Sequence, residues 1–293
     1  RGQRDLYLRM HLQGRTRMNG PLAGTQSMID VQAQPDARGL SIDRVGVQGL
    51  SYPITVMDRA RGTQQTIARI RLAVSLPHDL RGTHMSRFIE VFENHRGELT
   101  VHTIPGLLDE LQYRLLAESA EIEIAFPYFL EKTAPVSKKT APLEYQCSFR
   151  GKRSRAGDSF SLQVKVPVST VCPCSKEISD YGAHNQRGYV TVLVKSRSVE
   201  DQDLIWIEEV IEWVEASASA PVYALLKRPD ERHVTMQAYD NPRFVEDVVR
   251  EVAGKLKADP RTAWFHVEVE NLESIHNHSA FAEIEWSRET SSE

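Results

Sequence analysis

The stretch AEIEIAF at residues 120–126 alternates apolar with charged side chains over most of its length. Ile122 and Phe126 fall on one side of an extended chain here, and Glu121 and Glu123 fall on the other. Successive side chains of a β-strand point to opposite faces of its sheet. The pattern therefore predicts a strand with one face in the core and one face in water, which is typical of an antiparallel sheet.

Two strands and two helices are predicted upstream of this stretch, and one strand downstream. The upstream strands cover residues 45–57 and 66–76, where apolar residues alternate imperfectly. The helices begin near Met85 and after Thr103, where apolar residues recur every three or four positions. A last strand over residues 143–150 completes the order ββααββ.

The second half of the chain repeats this order. One helix is predicted over residues 205–216, and another after Asp240 or Asn241 with Pro242 in its first turn. The charged run around Glu231 is predicted to be a solvated loop. Strands are predicted over residues 160–168, 188–195, 264–269 and 281–286. The pattern therefore indicates an α+β fold of tandem ββααββ modules, each an antiparallel sheet that carries two helices on one face.

The composition along the chain suggests its domain limits. Residues 1–40 contain many Arg, Gly, Pro and Gln residues and are expected to form a mobile N-terminal arm. We place the first module at residues 41–140 and the second module, which carries the reactive side chains, at residues 141–293. The junction lies near the segment TAPVSKKTAP at residues 133–142.

The bulk composition argues against several functional classes. The net charge of −4 gives no general attraction to nucleic acid or to a membrane, and we expect neither as a partner. No apolar run approaches the roughly 20 residues that a membrane span needs, and no signal segment is recognised at the start. Three cysteines cannot form a complete disulfide framework. We therefore expect a cytoplasmic protein whose cysteines serve metal or thiol chemistry.

Reactive side chains are concentrated in the segment STVCPCSKEISDYGAHNQRGYV at residues 169–190. Cys172 and His184 offer a thiolate and an imidazole, which are ligand types that suit zinc, iron or manganese. No second cysteine pair follows at zinc-finger spacing, which favours an open catalytic site over a closed structural one. The alternative is a buried free cysteine near a surface histidine, and the spacing alone leaves both open.

Other segments offer further candidate site residues. In an extended chain His276 and His278 would point to opposite sides, so that only one would face a metal; a polar turn between two strands is the alternative. Lys227 and Arg228 form a candidate phosphate clamp beside the charged loop. Glu246 lies in the first turn of a predicted helix. It either stabilises the helix dipole there or enters a pocket and accepts hydrogen bonds from a pair of N–H groups on a ligand.

Several long motifs resemble GTP cyclohydrolases of the type IB family, and the resemblance extends over nearly the whole chain from residue 45 to residue 286. The motifs are residues 169–186, SASAPVYALLKRPDE (217–231), NPRFVEDVVR (241–250), VENLESIHNHSAFA (269–282) and RGTHMSRF (81–88). The resemblance implies the tunnelling fold, in which a ββααββ module is used twice per chain. It also implies a homotetramer that has its active sites at the subunit interfaces.

The resemblance further implies a reaction and a set of site residues. The family converts GTP and water to 7,8-dihydroneopterin triphosphate and formate, the first step of tetrahydrofolate biosynthesis, with one divalent ion (Zn, Mn or Fe) per active site. Cys172 matches the metal-binding and catalytically important cysteine of the family. The residues that match the other metal ligands are His184, Glu231 and His276. Glu246 matches the acid that anchors the purine.

The chemistry of this reaction adds candidates to those that the resemblance supplies. Glu273 or His278 is expected to move protons during ring opening and formate release. A triphosphate carries several negative charges, so a net negative protein needs local cations to bind it. The candidate cations are Lys176, Arg187, Lys227 and Arg228.

Three alternatives remain open on the sequence. A tunnelling-fold nitrile reductase of queuosine synthesis, which depends on NADPH, would use Cys172 or Cys174 as a nucleophile and need no metal. His184 and the histidines near residue 277 argue against that enzyme, because they are candidate metal ligands. An archaeal relative of the cyclohydrolase would make a cyclic phosphate product instead. A non-catalytic metal-binding protein would bind a metal tightly without turning over GTP.

Overall fold

The computed structural model of the chain describes residues 30–95, 99–198 and 200–288. Most of the predicted N-terminal arm, residues 1–29, lies outside these ranges, so the arm stays a prediction. Its described end is hydrogen-bonded to the rest of the protein. The Arg81 N–H group donates to the carbonyl of Gln34 at 3.0 Å, and the Gly82 N–H group donates to the carbonyl of Gln32 at 3.1 Å.

The described residues form nine strands, six α-helices and one 3-10 turn at Asp201–Asp203. The strands are β1 (Ile42–Asp58), β2 (Gly62–Leu76), β3 (Ala120–Thr133), β4 (Thr140–Ser154), β5 (Gly157–Val171), β6 (Asn185–Ser196), β7 (Ala220–Pro221), β8 (Thr262–Leu272) and β9 (Ala280–Ser287). The helices are α1 (Met85–His95), α2 (Ile104–Leu115), α3 (Pro173–Ile178), α4 (Ile207–Glu215), α5 (Arg228–Asp240) and α6 (Val245–Ala258).

All nine strands belong to one antiparallel sheet. Its order is β1-β2-β3-β4-β5-β6-β8-β9, and the short β7 pairs with β5. The predicted strand at residues 120–126 is the start of β3, where Ile122 pairs with Leu72 of β2 on one side and with Gly151 of β4 on the other. The prediction of an α+β fold built on an antiparallel sheet is confirmed.

One face of the sheet is buried and the other carries charge, as the alternation in β3 predicts. Ile122 and Phe126 are buried in the large apolar core that the helices cover. Burying a large apolar side chain contributes about 1.5–3 kcal/mol, so this face stabilises the fold. On the opposite face Glu121 pairs with Arg44 at 2.7 Å and with Lys152 at 3.0 Å.

The predicted helices at residues 205–216 and after residue 240 are present as α4 and α6. Val210 and Val214 of α4 and Val248 and Val252 of α6 are buried against the sheet. Helix α6 has 14 residues. Within the described ranges no helix is long and apolar enough to cross a membrane.

Helix α5 corrects the prediction of a solvated loop around Glu231. A charged run forms a helix here because two features outweigh its polarity. Pro229 occupies the first turn, where the missing N–H group costs nothing. Val234 and Ala238 recur at helical spacing and pack in a small apolar cluster with Val171. The polar side chains therefore occupy the outer face of a helix that is anchored on its inner face.

The start of α6 also differs from the prediction. Pro242 lies ahead of the helix and not in its first turn, because the helix begins only at Val245. The Asp247 carboxylate accepts a hydrogen bond from the Phe244 N–H group at 2.9 Å. This bond satisfies one of the free N–H groups at the helix start and sets the boundary three residues after the proline.

The predicted boundary between residues 140 and 141 falls at the start of β4, beside the turn that joins β3 to β4. The sheet is continuous from β3 through β5 at this point. Side chains also join the two halves. The Tyr128 hydroxyl donates to Glu208 Oε1 of α4 at 2.7 Å, and Lys132 forms an ion pair with Glu215 at the end of α4. The division into two modules stays a prediction, and the described halves share one sheet.

Candidate functional site

The connection from β5 to β6 carries Cys172 and His184, as predicted, and the structure folds it back on itself. Pro173 follows Cys172 and starts α3. The Cys172 Sγ atom accepts a hydrogen bond from the Ser175 N–H group at 3.4 Å. The Cys172 N–H group donates to the carbonyl of His184 at 3.1 Å. The two predicted metal ligands are therefore adjacent in space although twelve positions separate them.

Ser175 stabilises the β5–β6 connection through two hydrogen bonds. The Ser175 hydroxyl donates to the carbonyl of Cys172 at 3.1 Å and accepts from the His184 N–H group at 3.2 Å. Such side chain to backbone bonds replace the sheet hydrogen bonds that the chain gives up between two strands. The backbone at both predicted ligands is thus held by the same hydroxyl. Sequence reasoning missed Ser175, and its position three residues after a helix-capping cysteine was the available signal.

The His184 imidazole is partly buried and oriented by polar neighbours. Its Nδ1 atom lies 2.9 Å from Gln186 Oε1 and 3.8 Å from Glu273 Oε2. The side chains of His184 and Glu273 are only 14% and 15% exposed. In the part of the chain that the structure describes, no hydrogen-bond partner is found for His184 Nε2. One ring nitrogen is therefore held by the protein and the other is available to a ligand.

Glu231 lies in the first turn of α5 and is exposed. Residues three and seven positions along a helix share its face. For Glu231 these residues are Val234 and Ala238, which pack against Val171 at the end of β5 and Ala183 of the β5–β6 connection. The helix face that carries Glu231 is therefore directed to the connection that holds Cys172 and His184.

Asp230, the neighbour of Glu231, was missed by sequence reasoning. Its side chain is fully buried and accepts hydrogen bonds at 2.8 Å from three N–H groups. Two of these belong to Val136 and Ser137 in the β3–β4 turn, and the third belongs to Lys227. Burial opposes ionisation, but these hydrogen bonds, led by those from Ser137, hold the pKa of Asp230 well below its usual range. Asp230 thus attaches the start of α5 to the first half of the chain.

His276 and His278 lie in the turn between β8 and β9 and not in an extended segment. The two rings do not point to opposite sides but stack on each other, with centroids 5.0 Å apart and planes 17° apart. The polar turn that we gave as the alternative is what the structure contains. Both imidazoles are exposed, and Glu273 precedes them just after the end of β8.

Glu246 occupies the first turn of α6, as predicted, and its side chain is exposed. The buried position that sequence analysis considered for this carboxylate does not occur within a single chain. The segment before the helix is nevertheless tied to the site. The Arg243 N–H group donates to the carbonyl of Val171 at 3.0 Å, directly before Cys172. Helix α6 therefore begins beside the Cys172 connection.

The four candidate cations have different surroundings. Lys176 Nζ donates to the carbonyl of Tyr239 at 2.6 Å and lies 4.2 Å from the centre of the Tyr239 ring. Lys176 thus joins α3 to the end of α5. Arg187, Lys227 and Arg228 are exposed, and the last two stand at the start of α5. The start of a helix carries partial positive charge, which adds to the attraction of these two side chains for an anion.

The donor types fit a divalent metal, but one chain does not assemble the predicted ligand set. Among the described residues no group of three His, Cys, Asp or Glu side chains lies close enough together to hold an ion. Cys172 and His184 are fixed on one connection and offer the sulfur and nitrogen donors that zinc and iron accept. Glu231 and His276 are exposed. The set would close only through a rearrangement or through a second chain.

Comparison with known proteins identifies the family. The model of the family described as type I GTP cyclohydrolase FolE2 matches residues 28–282 of the chain. The chain belongs to this family. The FolE2 protein of Methylococcus capsulatus is 53% identical over 261 residues, which are 89% of this chain and 96% of that protein. The FolE2 protein of Syntrophobacter fumaroxidans is 51% identical over 262 residues, which are 89% of this chain and all of that protein. The predicted family is confirmed.

Solved structures outside the FolE2 family share its fold. Urate oxidase from Bacillus sp. TB-90 superposes with a TM-score of 0.50 and 8% sequence identity, over 84% of this chain and 100% of that chain. At this identity the likeness concerns the fold alone. It confirms the tunnelling fold, an antiparallel sheet with helices packed on it, that the motifs imply.

Proposed function

We propose that the chain is a cytoplasmic GTP cyclohydrolase. It opens the imidazole ring of the guanine base of GTP with water, releases formate and gives 7,8-dihydroneopterin triphosphate, the first step of tetrahydrofolate biosynthesis. The observation that carries this proposal is the identity of 53% to a FolE2 protein over 96% of that protein's length. The fixed pair of Cys172 and His184 on one connection is consistent with it.

We infer that one divalent ion, Zn, Mn or Fe, is held by Cys172, His184, Glu231 and His276. The ion would supply Lewis acidity, which lowers the pKa of bound water to about 7 and makes that water a nucleophile near neutral pH. Cys172 and His184 are already held by backbone hydrogen bonds. The helix face of Glu231 is directed to them, and His276 lies in the turn that follows β8.

Proton transfer in this proposal is assigned to Glu273 and His278. Ring opening needs a group that takes a proton from the attacking water and gives one to the departing nitrogen. Glu273 Oε2 lies 3.8 Å from His184 Nδ1, so its carboxylate is at the site and partly shielded from solvent. His278 stacks on His276 and would deliver a proton from the solvent side.

Recognition of the base is assigned to Glu246. A carboxylate accepts two hydrogen bonds, and guanine offers two donors in the right place, the N1–H group and the 2-amino group. Adenine lacks both donors, so the carboxylate would be left unpaired and adenine rejected. The position of Glu246 at the start of α6, beside the Val171 carbonyl that holds Arg243, supports this role.

The proposed assembly is a homotetramer with active sites at the subunit interfaces. Large apolar side chains near the site are open to solvent in one chain. Tyr181 is 100% exposed and Ile178 is 84% exposed in the β5–β6 connection, and Ile275 is 64% exposed in the β8–β9 turn. Exposed apolar patches of this kind commonly mark contacts between proteins. A second chain that covers them would also shield Glu246 and complete the ligand set.

The proposed activity is tested by incubating metal-loaded protein with GTP. We expect formate release and a pterin product that fluoresces after oxidation. Metal binding without either product would support a non-catalytic metal-binding protein. NADPH oxidation with a nitrile substrate would support the reductase, and a cyclic phosphate in the product would indicate the archaeal type of cyclohydrolase.

Replacing Lys227 and Arg228 by alanine is expected to raise the KM for GTP with little change in kcat. Each cation contributes charge-assisted hydrogen bonds to the triphosphate, worth about 1.5–3 kcal/mol. Loss of one such contact corresponds to a rise of about 10- to 100-fold in KM, as measured by steady-state kinetics. Arg155→Ala, which also removes an exposed cation but lies in the turn between β4 and β5, is the matched control. An unchanged KM in the double variant would exclude both residues from the triphosphate site.

A further inference from the structure

The apolar face of the sheet turns polar beneath His184. The core-facing row of β5 continues from Val168 to Thr170, and that of β6 continues from Val190 through Gly188 to Gln186. Thr170 is fully buried and Gln186 is 8% exposed. Burying a hydroxyl and an amide costs free energy unless they are hydrogen-bonded. Gln186 Nε2 lies 3.0 Å from Thr170 Oγ1, so the two side chains satisfy each other in part.

The oxygen atom of the Gln186 side-chain amide faces the imidazole of His184. This Oε1 atom lies 2.9 Å from His184 Nδ1. A carbonyl oxygen only accepts hydrogen bonds, so Nδ1 must carry the hydrogen in this arrangement. Glu273 Oε2, a second acceptor, lies on the same side of the ring at 3.8 Å from Nδ1. Two acceptors that face one nitrogen favour the same position for the hydrogen.

The other ring nitrogen then has a free lone pair. A neutral imidazole carries one hydrogen, so hydrogen on Nδ1 leaves Nε2 as the only donor atom for a metal. No described residue forms a hydrogen bond with Nε2. Histidines that bind metals usually donate their other N–H group to a carbonyl or carboxylate oxygen, which fixes the ring and strengthens the ligand.

We propose that Gln186 is a positioning residue that holds His184 in the Nδ1–H form and presents Nε2 as the metal-binding nitrogen. The proposal rests on the proposed function for the ion itself and adds which nitrogen binds it and what selects that nitrogen. Thr170 takes part by receiving the Gln186 amide N–H, which keeps the amide oxygen turned to the imidazole. The chain Thr170–Gln186–His184 thus runs from the core of the sheet to the site.

The position of the hydrogen is measured first in metal-free protein that carries 15N-labelled histidine. At a pH where the imidazole is neutral, the nitrogen and carbon shifts of His184 distinguish the Nδ1–H from the Nε2–H form. We expect Nδ1–H in the unaltered chain. An Nε2–H form would overturn the proposal, because the amide would then donate to Nδ1. This readout needs neither GTP nor a stable variant.

Two substitutions then test the role of the amide oxygen. Gln186→Met keeps the length of the side chain but removes the acceptor, whereas Gln186→Glu keeps an oxygen in the same place. We expect Zn2+ affinity, titrated against a chromophoric chelator, to fall about 10- to 100-fold in Gln186→Met, the usual cost of losing such a partner. Gln186→Glu should stay within a few-fold of the unaltered chain and should keep the Nδ1–H form.

The outcomes separate this proposal from the proposed activity. Equal Zn2+ affinity in Gln186→Met and the unaltered chain would overturn it. An equal loss in Gln186→Glu and Gln186→Met would also overturn it, since any change at this buried position would then suffice. Failure of the unaltered chain to hydrolyse GTP would contradict the activity alone, because neither the ring spectrum nor the Zn2+ titration uses GTP.

Discussion

Cys172→Ala is expected to abolish both metal binding and formate release. The thiolate is the only sulfur ligand in the proposed set, and its backbone is bonded to that of His184 at 3.1 Å. Loss of a residue that only hydrogen-bonds to a metal ligand lowers metal affinity by about 10- to 100-fold. Loss of the ligand itself should therefore lower metal affinity by at least about 100-fold. Metal content of the purified variant and formate release from GTP are the measurements.

The control for this variant is Cys174→Ala. Cys174 is two positions away in α3, and its side chain is exposed. We expect this variant to keep its metal and its turnover. A Cys172→Ala protein with full metal content and normal formate release would remove the cysteine from the site. Loss of turnover with the metal retained would instead favour a nucleophilic role for Cys172, as in the reductase.

Glu246→Gln is expected to weaken GTP binding strongly while the metal is retained. The glutamine amide keeps one acceptor oxygen, but its NH2 group faces a donor of guanine and cannot accept a hydrogen bond from it. Losing one or two charge-assisted hydrogen bonds, each about 1.5–3 kcal/mol, lowers GTP affinity by about 10- to 10,000-fold. Binding of a GTP analogue by calorimetry and metal content by elemental analysis check the two parts of this expectation.

The matched control is Glu251→Gln, an exposed carboxylate on the same helix. It changes the charge of α6 by the same amount but lies more than one turn further along, so we expect GTP affinity to be unchanged.

Inosine triphosphate, which lacks the 2-amino group, adds a second test. The unaltered chain should prefer GTP, and Glu246→Gln should lose most of that preference. Equal discrimination in both proteins would place base recognition elsewhere.

Most strands of the fold could be predicted because their apolar and polar residues alternate, although imperfectly in β1 and β2, whereas the two-residue β7 was not predicted. Ile122 and Phe126 alternate with acids, and the structure buries the first set and pairs Glu121 with cations. Helix α5 could not be predicted in the same way. Its apolar residues, Val234 and Ala238, are few, and their partners Val171 and Ala183 lie far away in the sequence. Local pattern therefore determined the sheet but not this helix.

The places of the candidate site residues in the fold were predicted in part. The sequence indicated that Cys172 and His184 share a connection, and the structure adds the backbone bond and the serine that join them. The stacking of His276 on His278 depends on the shape of a turn, which residue spacing does not specify. The role of Asp230 depends on N–H groups more than 90 positions away in the chain, at Val136 and Ser137. No local pattern contains that contact.

The anchorage of Asp230 has a consequence for building chimeras of this protein with its relatives. A crossover placed at the predicted junction, between residues 140 and 141, would take the β3–β4 turn from one parent and α5 from the other. The backbone of the turn supplies two of the three donors to Asp230. Parents whose turns differ in length or in backbone shape would leave a buried carboxylate unsatisfied. The β3–β4 turn and α5 should therefore be taken from the same parent, although the two segments belong to opposite halves of the chain.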